Sequence, residues 1–320
     1  MEAFFANLPL YGNLFSFALG FLIITKAAGW FIYGAVGLAR RTGVPKVVVG
    51  ATIVSLTTTA PEFSVSLLAS LLGQPQTAVG NDVGSSICNI GLILALAALI
   101  CPITAPRVPV SRQGLIMLAC GLALTGLTLH GELSRAGAAL LLLGLVGYIL
   151  YSIISARGHA PGLEETESIR DARSPFFRFL VGGVGVVVGS VLLVKNAAIL
   201  ARAAGVPELV IALTLVAVGT SLPELVTALA ASRAGHSDLA LGNVLGANIL
   251  NILWVLGAAG LAHPLAIMPQ TLKLDLPAML LMMTLVLVFG RSWGQLGRVA
   301  GVGFMATYAV YLFLIFTFFV

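Results

Sequence analysis

The sequence predicts an all-α, polytopic membrane protein with ten transmembrane helices in two inverted five-helix repeats. Composition is the first observation: of the 320 residues, 59% are hydrophobic and only 9% are charged, whereas about a quarter of a soluble domain is charged. The mean hydropathy is +1.05, so the chain cannot cover its own surface with water-compatible groups. The other two observations are the placement of the basic residues and a long internal repeat.

The predicted helices are apolar runs that come close to the ~20 residues that a helix needs to cross a bilayer. Charged residues, prolines and polar breaks separate these runs. They lie near residues 13–38, 46–72, 78–101, 112–130, 135–156, 176–202, 207–233, 239–262, 275–290 and 298–319. The run that begins near residue 275 is the shortest of them.

The basic residues predict the orientation of the chain. With the N-terminus outside and ten crossings, twelve Lys and Arg residues lie inside, four lie outside, and Lys26 lies within a span. Cytoplasmic loops are typically enriched in Lys and Arg, so we expect a multi-pass protein of the cell membrane with both termini outside. Topology and anionic lipid then account for the net charge of +5. The bilayer is the expected partner, and neither nucleic acid nor a protein partner is implied.

The internal repeat centres on a proline-glutamate motif. Thr58-Thr59-Ala60-Pro61-Glu62 recurs 162 positions later as Thr220-Ser221-Leu222-Pro223-Glu224. In the same register, Gly80-Asn81, Gly84, Ile87 and Asn89-Ile90 recur as Gly242-Asn243, Gly246, Ile249 and Asn251-Ile252. Five predicted helices separate the two motifs, so the copies face opposite sides of the membrane. Inverted repeats of this kind let a transporter expose one midplane site alternately to each side.

The repeat also predicts the domain organisation. The first five-helix half covers residues 1–157 and contains the first α-repeat at about 43–104. The second half covers residues 176–320 and contains the second α-repeat at about 205–266. Residues 158–175 between them are the most polar stretch of the chain and are expected to form a short cytoplasmic linker.

The prolines of the motif are expected to break their helices at membrane depth. Proline has no N–H and its ring clashes with the carbonyl four residues earlier, so Pro61 frees the carbonyl of Thr57 and Pro223 frees that of Gly219. Broken backbone within a membrane is tolerated where it lines a cavity. Carbonyl oxygens beside a carboxylate are the ligands that a hard cation such as Ca²⁺ prefers.

The acidic residues indicate where the cation binds. Of twelve Asp and Glu residues, only Glu62, Glu224 and Asp82 are predicted to lie within the hydrocarbon. An ionised carboxylate there costs about 2.5–3.5 kcal/mol on insertion scales, so two at repeat-related positions imply a shared cation. The other nine fall in loops or at helix ends: Glu2, Glu132, Glu164, Glu165, Glu167, Asp171, Glu208, Asp238 and Asp275.

The helix after each motif offers further oxygen ligands. Ser85 and Asn89 are four residues apart and share a helix face, with Asp82 one turn earlier on the same side. An amide such as Asn89 or its counterpart Asn251 is costly in lipid without a hydrogen-bond partner. The counterparts of Asp82, Ser85 and Asn89 in the second repeat are Val244, Ala247 and Asn251.

The paired motifs resemble the two α-repeats of the calcium/cation antiporter superfamily, and in particular the prokaryotic sodium/calcium exchangers. The resemblance implies that Glu62 and Glu224 bind Ca²⁺ directly, with the backbone carbonyls of Thr58 and Thr220. It also implies flanking sodium sites, formed by Thr59, Ser221, Ser85, Asn89 and the backbone carbonyls near Ser55 and Ala217.

The chain departs from the family pattern at three positions that bear on the coupling ion. Ala247 replaces a serine of one sodium site, Asn251 stands where these exchangers typically carry Asp, and Asp82 is an added acid. Asn251 and Asp82 are retained as candidate ion ligands.

The resemblance implies a secondary antiporter that exchanges Ca²⁺ against Na⁺ by alternating access. The alternatives are a Ca²⁺/H⁺ antiporter on the same architecture and a passive cation channel. No Ser/His or Cys/His pair occurs at membrane depth, so we expect a transporter and not an enzyme. We also expect no cofactor, since Ca²⁺ and Na⁺ are cargo.

Overall fold

The computed structural model describes residues 9–104, 107–157, 174–205, 217–293 and 295–319, and most of them are helical. Most of the predicted linker and the start of the seventh predicted span, residues 158–173 and 206–216, lie outside this part of the chain. The helices are α1 (Leu10–Thr42), α2 (Lys46–Thr58), α3 (Ala60–Leu71), α4 (Pro75–Ile100), α5 (Arg107–Thr128), α6 (Arg135–Arg157), α7 (Ser174–Ala203), α8 (Ala217–Thr220), α9 (Leu222–Arg233), α10 (Ser237–Ala262), α11 (Leu276–Trp293) and α12 (Arg298–Phe318).

The described helices have the length and composition of membrane spans. Seven of those in the described ranges are long and apolar enough to cross a bilayer, and α2 with α3 forms an eighth candidate that is bent by 49°. Large apolar side chains such as Leu143, Ile154 and Phe313 are more than 65% exposed on the outer surface of the bundle. Such a surface suits lipid, and the chain is a multi-pass membrane protein.

Both proline motifs interrupt their helices at equivalent residues. Thr59 separates α2 from α3 with φ −79° and ψ −2°, and Ser221 separates α8 from α9 with φ −86° and ψ 8°. In each case the proline occupies the second position of the new helix, where its missing N–H does no harm. The two breaks predicted from the sequence are therefore present, two residues before each proline.

Helices α4 and α10 each contain a π-helical turn at matching positions. The turns span Asn89–Leu94 and Asn251–Leu256, so each begins at the asparagine that the repeat shares. A π turn inserts one extra residue into the helix and often marks a functional site. Further π-helical segments lie at Gly50–Val54 in α2 and at Thr271–Asp275 before α11.

Gly242 and Gly246, the glycines that the repeat places in its second copy, let α10 lie directly on α2. A Cβ atom on Gly242 would overlap the carbonyl oxygen of Val47, and one on Gly246 would overlap the backbone of Ala51. Small residues four positions apart allow this kind of close backbone contact between membrane helices. The residues equivalent to Val47 and Ala51 in the second repeat, 209 and 213, lie outside the described ranges.

Helices α1 and α7 form an antiparallel pair whose backbones also touch. Gly34 of α1 meets Phe179 at one end of the pair, and Gly20 meets Leu193 at the other. Only 33% of the most apolar window of each helix is buried, compared with 72% in α4 and 83% in α10. The structure thus contains a central core around α4 and α10, and α1 and α7 are among the less buried helices around it.

Two short antiparallel strand pairs connect the repeats. Strand β1 (Ile103–Thr104) pairs with β4 (Gln295–Leu296), and β2 (Glu132–Leu133) pairs with β3 (Leu265–Ala266). Strand β1 follows α4, the third span of the first repeat, and its partner β4 lies between α11 and α12. Strand β3 follows α10, the third span of the second repeat, and its partner β2 lies between α5 and α6. The two strand pairs therefore connect the repeats at two separate places, related by the internal repeat.

The position of Asp275 differs from the prediction. The sequence pattern predicts a helix end at this residue, but the π-helical segment Thr271–Asp275 continues without a break into α11. Asp275 is only 7% exposed, and its Oδ1 accepts a hydrogen bond of 3.1 Å from the hydroxyl of Tyr311. The predicted span was too short because the polar residues before Leu276 are typical of a loop.

Candidate ion-binding site

The two motif glutamates begin the helices that follow the breaks. Glu62 is the third residue of α3 and Glu224 is the third residue of α9, and each is 1% exposed. Helix N-termini favour negative charge because their first N–H groups lack helical partners. The break in each motif therefore orients a helix start toward its own buried carboxylate.

The repeats exchange hydrogen bonds at these glutamates. The Ser221 hydroxyl of the second repeat donates to Oε1 of Glu62 at 3.1 Å, and the Thr59 hydroxyl of the first repeat donates to Oε1 of Glu224 at 3.3 Å. The other carboxylate oxygen, Oε2, is buried in both residues and has no hydrogen-bond partner within the described chain. Two carboxylates with unsatisfied oxygens thus meet at the contact between the repeats.

The preceding threonines are held by the asparagines of the Gly-Asn pairs. The Thr58 hydroxyl donates to Oδ1 of Asn243 at 3.2 Å, and the Thr220 hydroxyl approaches Oδ1 of Asn81 at 3.4 Å. These two contacts are again equivalent under the repeat. Each crosses from one repeat to the other, so each asparagine positions the broken helix of the opposite half.

A third pair of amides crosses the same contact. Asn89 donates from Nδ2 to Oδ1 of Asn248 at 3.0 Å, and its counterpart Asn251 donates to Oγ of Ser86 at 3.4 Å. The Oδ1 atoms of Asn89 and Asn251 are buried without a hydrogen-bond partner among the described residues. Both atoms are therefore further oxygen ligands available to an ion.

The two halves differ at Ser85. Its hydroxyl lies 3.4 Å from the hydroxyl of Thr220. The equivalent position in the second repeat is Ala247, which offers no hydroxyl to Thr58. The oxygen ligands are therefore more complete on the Ser85 side.

Asp82 lies beside the glutamates but does not complete a cluster with them. It is 1% exposed, and the side chain it faces is Ser66 of α3. Within the described ranges, no three Asp, Glu, His or Cys side chains converge on one point. Asp82, which the helical spacing groups with Ser85 and Asn89, therefore lies next to Ser66 without forming an acidic cluster with the two glutamates.

No basic side chain in the described ranges neutralises this region. Among the described residues, no Lys, Arg or His forms an ion pair with Glu62, Glu224 or Asp82. An uncompensated charge at this depth is unfavourable by several kcal/mol. The carboxylates thus require positive charge from outside the protein.

Comparison with known proteins is consistent with this geometry. The sequence profile of the family "Sodium/calcium exchanger protein" matches residues 12–154 and 174–317, which is most of the chain. The chain belongs to the sodium/calcium exchanger family. The matched ranges omit the polar stretch between the predicted halves.

Known proteins match the chain over almost its full length. "Inner membrane protein YrbG" of Escherichia coli is 37% identical over 305 residues, which cover 92% of this chain and 94% of the relative. "Sodium/calcium exchanger MaX1" of Methanosarcina acetivorans is 31% identical over 348 residues, covering 95% and 98%. The solved structure of the sodium-calcium exchanger NCX_Mj, soaked with Na⁺ and Ca²⁺, superimposes with a TM-score of 0.82 at 30% identity, covering 94% of this chain and 97% of that one.

Several side chains in this exchanger's site were not selected from the sequence. Asn81, Asn243, Asn248 and Ser86 make the cross-repeat hydrogen bonds described above. The repeat had already aligned Asn81 with Asn243, so their equivalence was an available signal. Their partners were not, because a repeat shows which residues are alike and not which ones touch.

Proposed function

We propose that this chain is a secondary antiporter that exchanges Ca²⁺ against Na⁺ at a site shared by Glu62 and Glu224. The observation that carries the proposal is the pair of buried carboxylates, each with one oxygen unpartnered and neither with a basic neighbour among the described residues. Two ionised carboxylates match the charge of one Ca²⁺, and carboxylate oxygens are its preferred ligands. Membership of the exchanger family and the similarity to NCX_Mj, a sodium-calcium exchanger, support Na⁺ as the counter-ion.

The proposed calcium ligands are the glutamates together with the backbone carbonyls of Thr58 and Thr220. Thr59, Ser221, Ser85, Asn89 and Asn251 would complete flanking sodium sites. The hydroxyls of Thr59 and Ser221 already hold one oxygen of each glutamate, which leaves the other oxygen for the ion. One Ca²⁺ and a set of Na⁺ ions would compete for the same carboxylates, so they would occupy the site in turn.

The proposed topology has ten crossings in two inverted repeats of five, with both termini outside. The strand pairs support this arrangement, since it puts β1 and β4 on the inner side and β2 and β3 on the outer side. A topology with one crossing fewer between β1 and β4 would separate strands that pair at Ile103 and Leu296. The proposed location of the protein is the cell membrane, and the name of the Escherichia coli relative, an inner membrane protein, supports it.

The proposed motion is a displacement of the α1–α7 pair against the core. These helices are less buried than α4 and α10, and their mutual contacts run through glycines along their length. A site whose carboxylates are neutralised by cargo crosses the membrane at lower cost than an empty, doubly charged one. Loaded protein would therefore switch readily between its two faces, and empty protein would switch slowly, which couples the two fluxes.

Calcium flux in proteoliposomes tests the proposal. A sodium gradient imposed alone should drive Ca²⁺ uphill, and Glu62→Gln or Glu224→Gln should abolish the flux. Glu132→Gln, at an exposed glutamate in β2, is the matched control and should leave it intact. Unchanged flux in both site variants would rule out the proposed centre.

A proton is the second candidate for the counter-ion, and a specific difference between the repeats favours testing it. Ala247 has no hydroxyl where the first repeat has Ser85, so the second repeat offers fewer sodium ligands than the first. A proton needs only a carboxylate. Calcium movement that follows a pH gradient and ignores sodium would select the proton over sodium.

A further inference from the structure

The two repeats differ at a buried polar contact, because both of the residues that form it in the first repeat are apolar in the second. Asp82 of α4 faces Ser66 of α3, and the residues at the equivalent positions are Val244 and Ala228. Ser66 is fully buried and Asp82 is 1% exposed, so both lie inside the protein at membrane depth. The first repeat thus carries a polar pair where the second carries an apolar one.

The neighbouring asparagines show how this difference extends into the hydrogen-bond network. Asn81 donates from Nδ2 to Oγ of Ser66 at 2.9 Å. Its counterpart Asn243 has Ala228 in place of the serine, and its Nδ2 is buried without a partner in the described chain. Ser66 thus accepts from Asn81, and its own hydroxyl donates to the carbonyl of Ala78 at 3.4 Å. Asp82 is the charged group beside it.

Both carboxylate oxygens of Asp82, Oδ1 and Oδ2, lack a regular hydrogen-bond partner among the described residues. Burying a carboxylate without a partner is unfavourable by several kcal/mol. The segments packed around α4 offer little compensation. The charged side chains described on these segments are Glu62 on α3, Glu224 and Arg233 on α9, Asp238 on α10, Arg298 on α12, and Lys273 and Asp275 on the π-helical segment before α11. None of them forms an ion pair with Asp82.

We propose that Asp82 and Ser66 form a separate binding site for one monovalent cation, Na⁺, on the outer side of Glu62. A single carboxylate balances a single positive charge, which favours a monovalent ion over Ca²⁺. Carboxylate and hydroxyl oxygens are hard ligands of the kind that Na⁺ accepts. The outer location rests on the topology of the proposed function, in which α3 runs outward from Glu62 through Ser66.

The site is connected to the proposed centre by hydrogen bonds. Asn81 donates to Ser66 through Nδ2 and accepts from Thr220 through Oδ1. Thr220 in turn lies against Ser85. An ion that fixes Ser66 would therefore fix Asn81 and the Thr220 side chain, and the second repeat has no equivalent route because Ala228 has no hydroxyl. The cation would act on one face of the transporter only.

Sodium binding to the purified full-length protein tests the site without relying on transport. Radioactive Na⁺ bound per chain is measured for wild type, Asp82→Asn, and Glu62→Gln/Glu224→Gln with and without Asp82→Asn. One Na⁺ should remain when both glutamates are replaced, and it should disappear when Asp82 is replaced as well. No remaining Na⁺, or an unchanged count after Asp82→Asn, would overturn the site; the second result would mean that a proton alone neutralises Asp82.

Two further variants separate a lost ligand from a misfolded protein. Asp82→Val copies the second repeat, and should lose the same Na⁺ while retaining a monodisperse elution profile. Ser64→Ala, on the same helix but bonded to the Ala60 carbonyl, should bind as wild type. Loss of Na⁺ in Ser64→Ala as well would contradict the assignment to Asp82.

The test also distinguishes this site from the proposed function. If Glu62→Gln/Glu224→Gln still exchanges calcium, the centre is wrong whatever Asp82 binds. If that variant is inactive and still binds one Na⁺ through Asp82, both are supported. When Asp82 is replaced and both glutamates are kept, sodium on the outer face should affect calcium flux less than it does in wild type, whereas the effect of sodium on the inner face should persist.

Discussion

The Ser221 hydroxyl lies 3.1 Å from Glu62 and donates a hydrogen bond to it from the opposite repeat. The equivalent bond from Thr59 to Glu224 is 3.3 Å long. Each glutamate is therefore positioned by the break of the other repeat. The consequence is that a displacement of either broken helix changes the surroundings of both carboxylates at once.

Because each hydroxyl holds the glutamate of the other repeat, we expect Ser221 and Thr59 to contribute equally to calcium affinity. Hydrogen bonds to charged groups are worth about 1.5–3 kcal/mol, so Ser221→Ala and Thr59→Ala should each weaken the apparent affinity for calcium about tenfold or more. Calcium-dependent flux in proteoliposomes measures the effect. Ser64→Ala is the control, because its hydroxyl bonds only to its own helix at Ala60. Equal loss in all three variants would argue against a specific role.

The amide contact between Asn89 and Asn248 gives a second prediction. Asn248→Leu leaves the Nδ2 of Asn89 buried without its 3.0 Å acceptor, at a cost of about 1–3 kcal/mol. Asn248→Ser should be tolerated better, because Ser86 occupies the equivalent position and accepts from Asn251. Thermal unfolding in detergent and calcium flux should both rank wild type first, then Ser, then Leu. The reverse order of Ser and Leu would show that packing and not polarity matters here.

The glycines of α10 predict a packing effect. In Gly246→Ala the new methyl group overlaps the backbone of Ala51, which no rotamer change relieves. Overpacking of this kind costs about 1–3 kcal/mol, and the displaced α2 should also slow exchange. Gly126→Ala is the control, since no described atom lies within 4 Å of its added Cβ. Replacing a helical glycine with alanine there should be neutral or stabilising by up to about 1 kcal/mol.

Much of the site was predictable because its residues recur in both repeats. The breaks before Pro61 and Pro223 follow from the chemistry of proline, and the burial of Glu62 and Glu224 follows from their apolar surroundings. The contacts of Asn81 did not follow, since they join helices that lie far apart in the sequence. Repetition identifies equivalent positions, but only the folded chain reveals that partners are exchanged between repeats.

The misplacement of Asp275 has a local cause. Lysine and threonine precede it and are typical of a helix end, yet Tyr311 donates a hydrogen bond to its carboxylate inside the bundle. The helical spacing groups Asp82 with Ser85 and Asn89, but it does not show that Ser66 of the neighbouring helix lies beside Asp82. Helical periodicity gives the face on which a side chain lies, but not its contacts.

The contact between Lys46 and His236 predicts a dependence of stability on pH. The Lys46 ammonium donates to Nδ1 of His236 at 3.3 Å, which requires a neutral imidazole. His236 precedes α10 outside the membrane-spanning segments. Burial, followed by the positive charge of Lys46, lowers the pKa of His236 below its ordinary value of 6.5. Asp238 opposes this effect and Arg40 adds to it.

The sign of the effect follows from proton linkage. Because the pKa is lower in the folded state, the unfolded chain binds more protons near and below pH 6.5, and stability falls as the pH falls through that range. His236→Gln copies Gln74, its counterpart in the first repeat, and should flatten this part of the profile. Thermal unfolding between pH 5 and 8 measures the difference between the two proteins. His263→Gln, at a histidine in the loop before β3, should keep the wild-type slope. A profile that is equally steep in His236→Gln would assign the pH dependence to other groups.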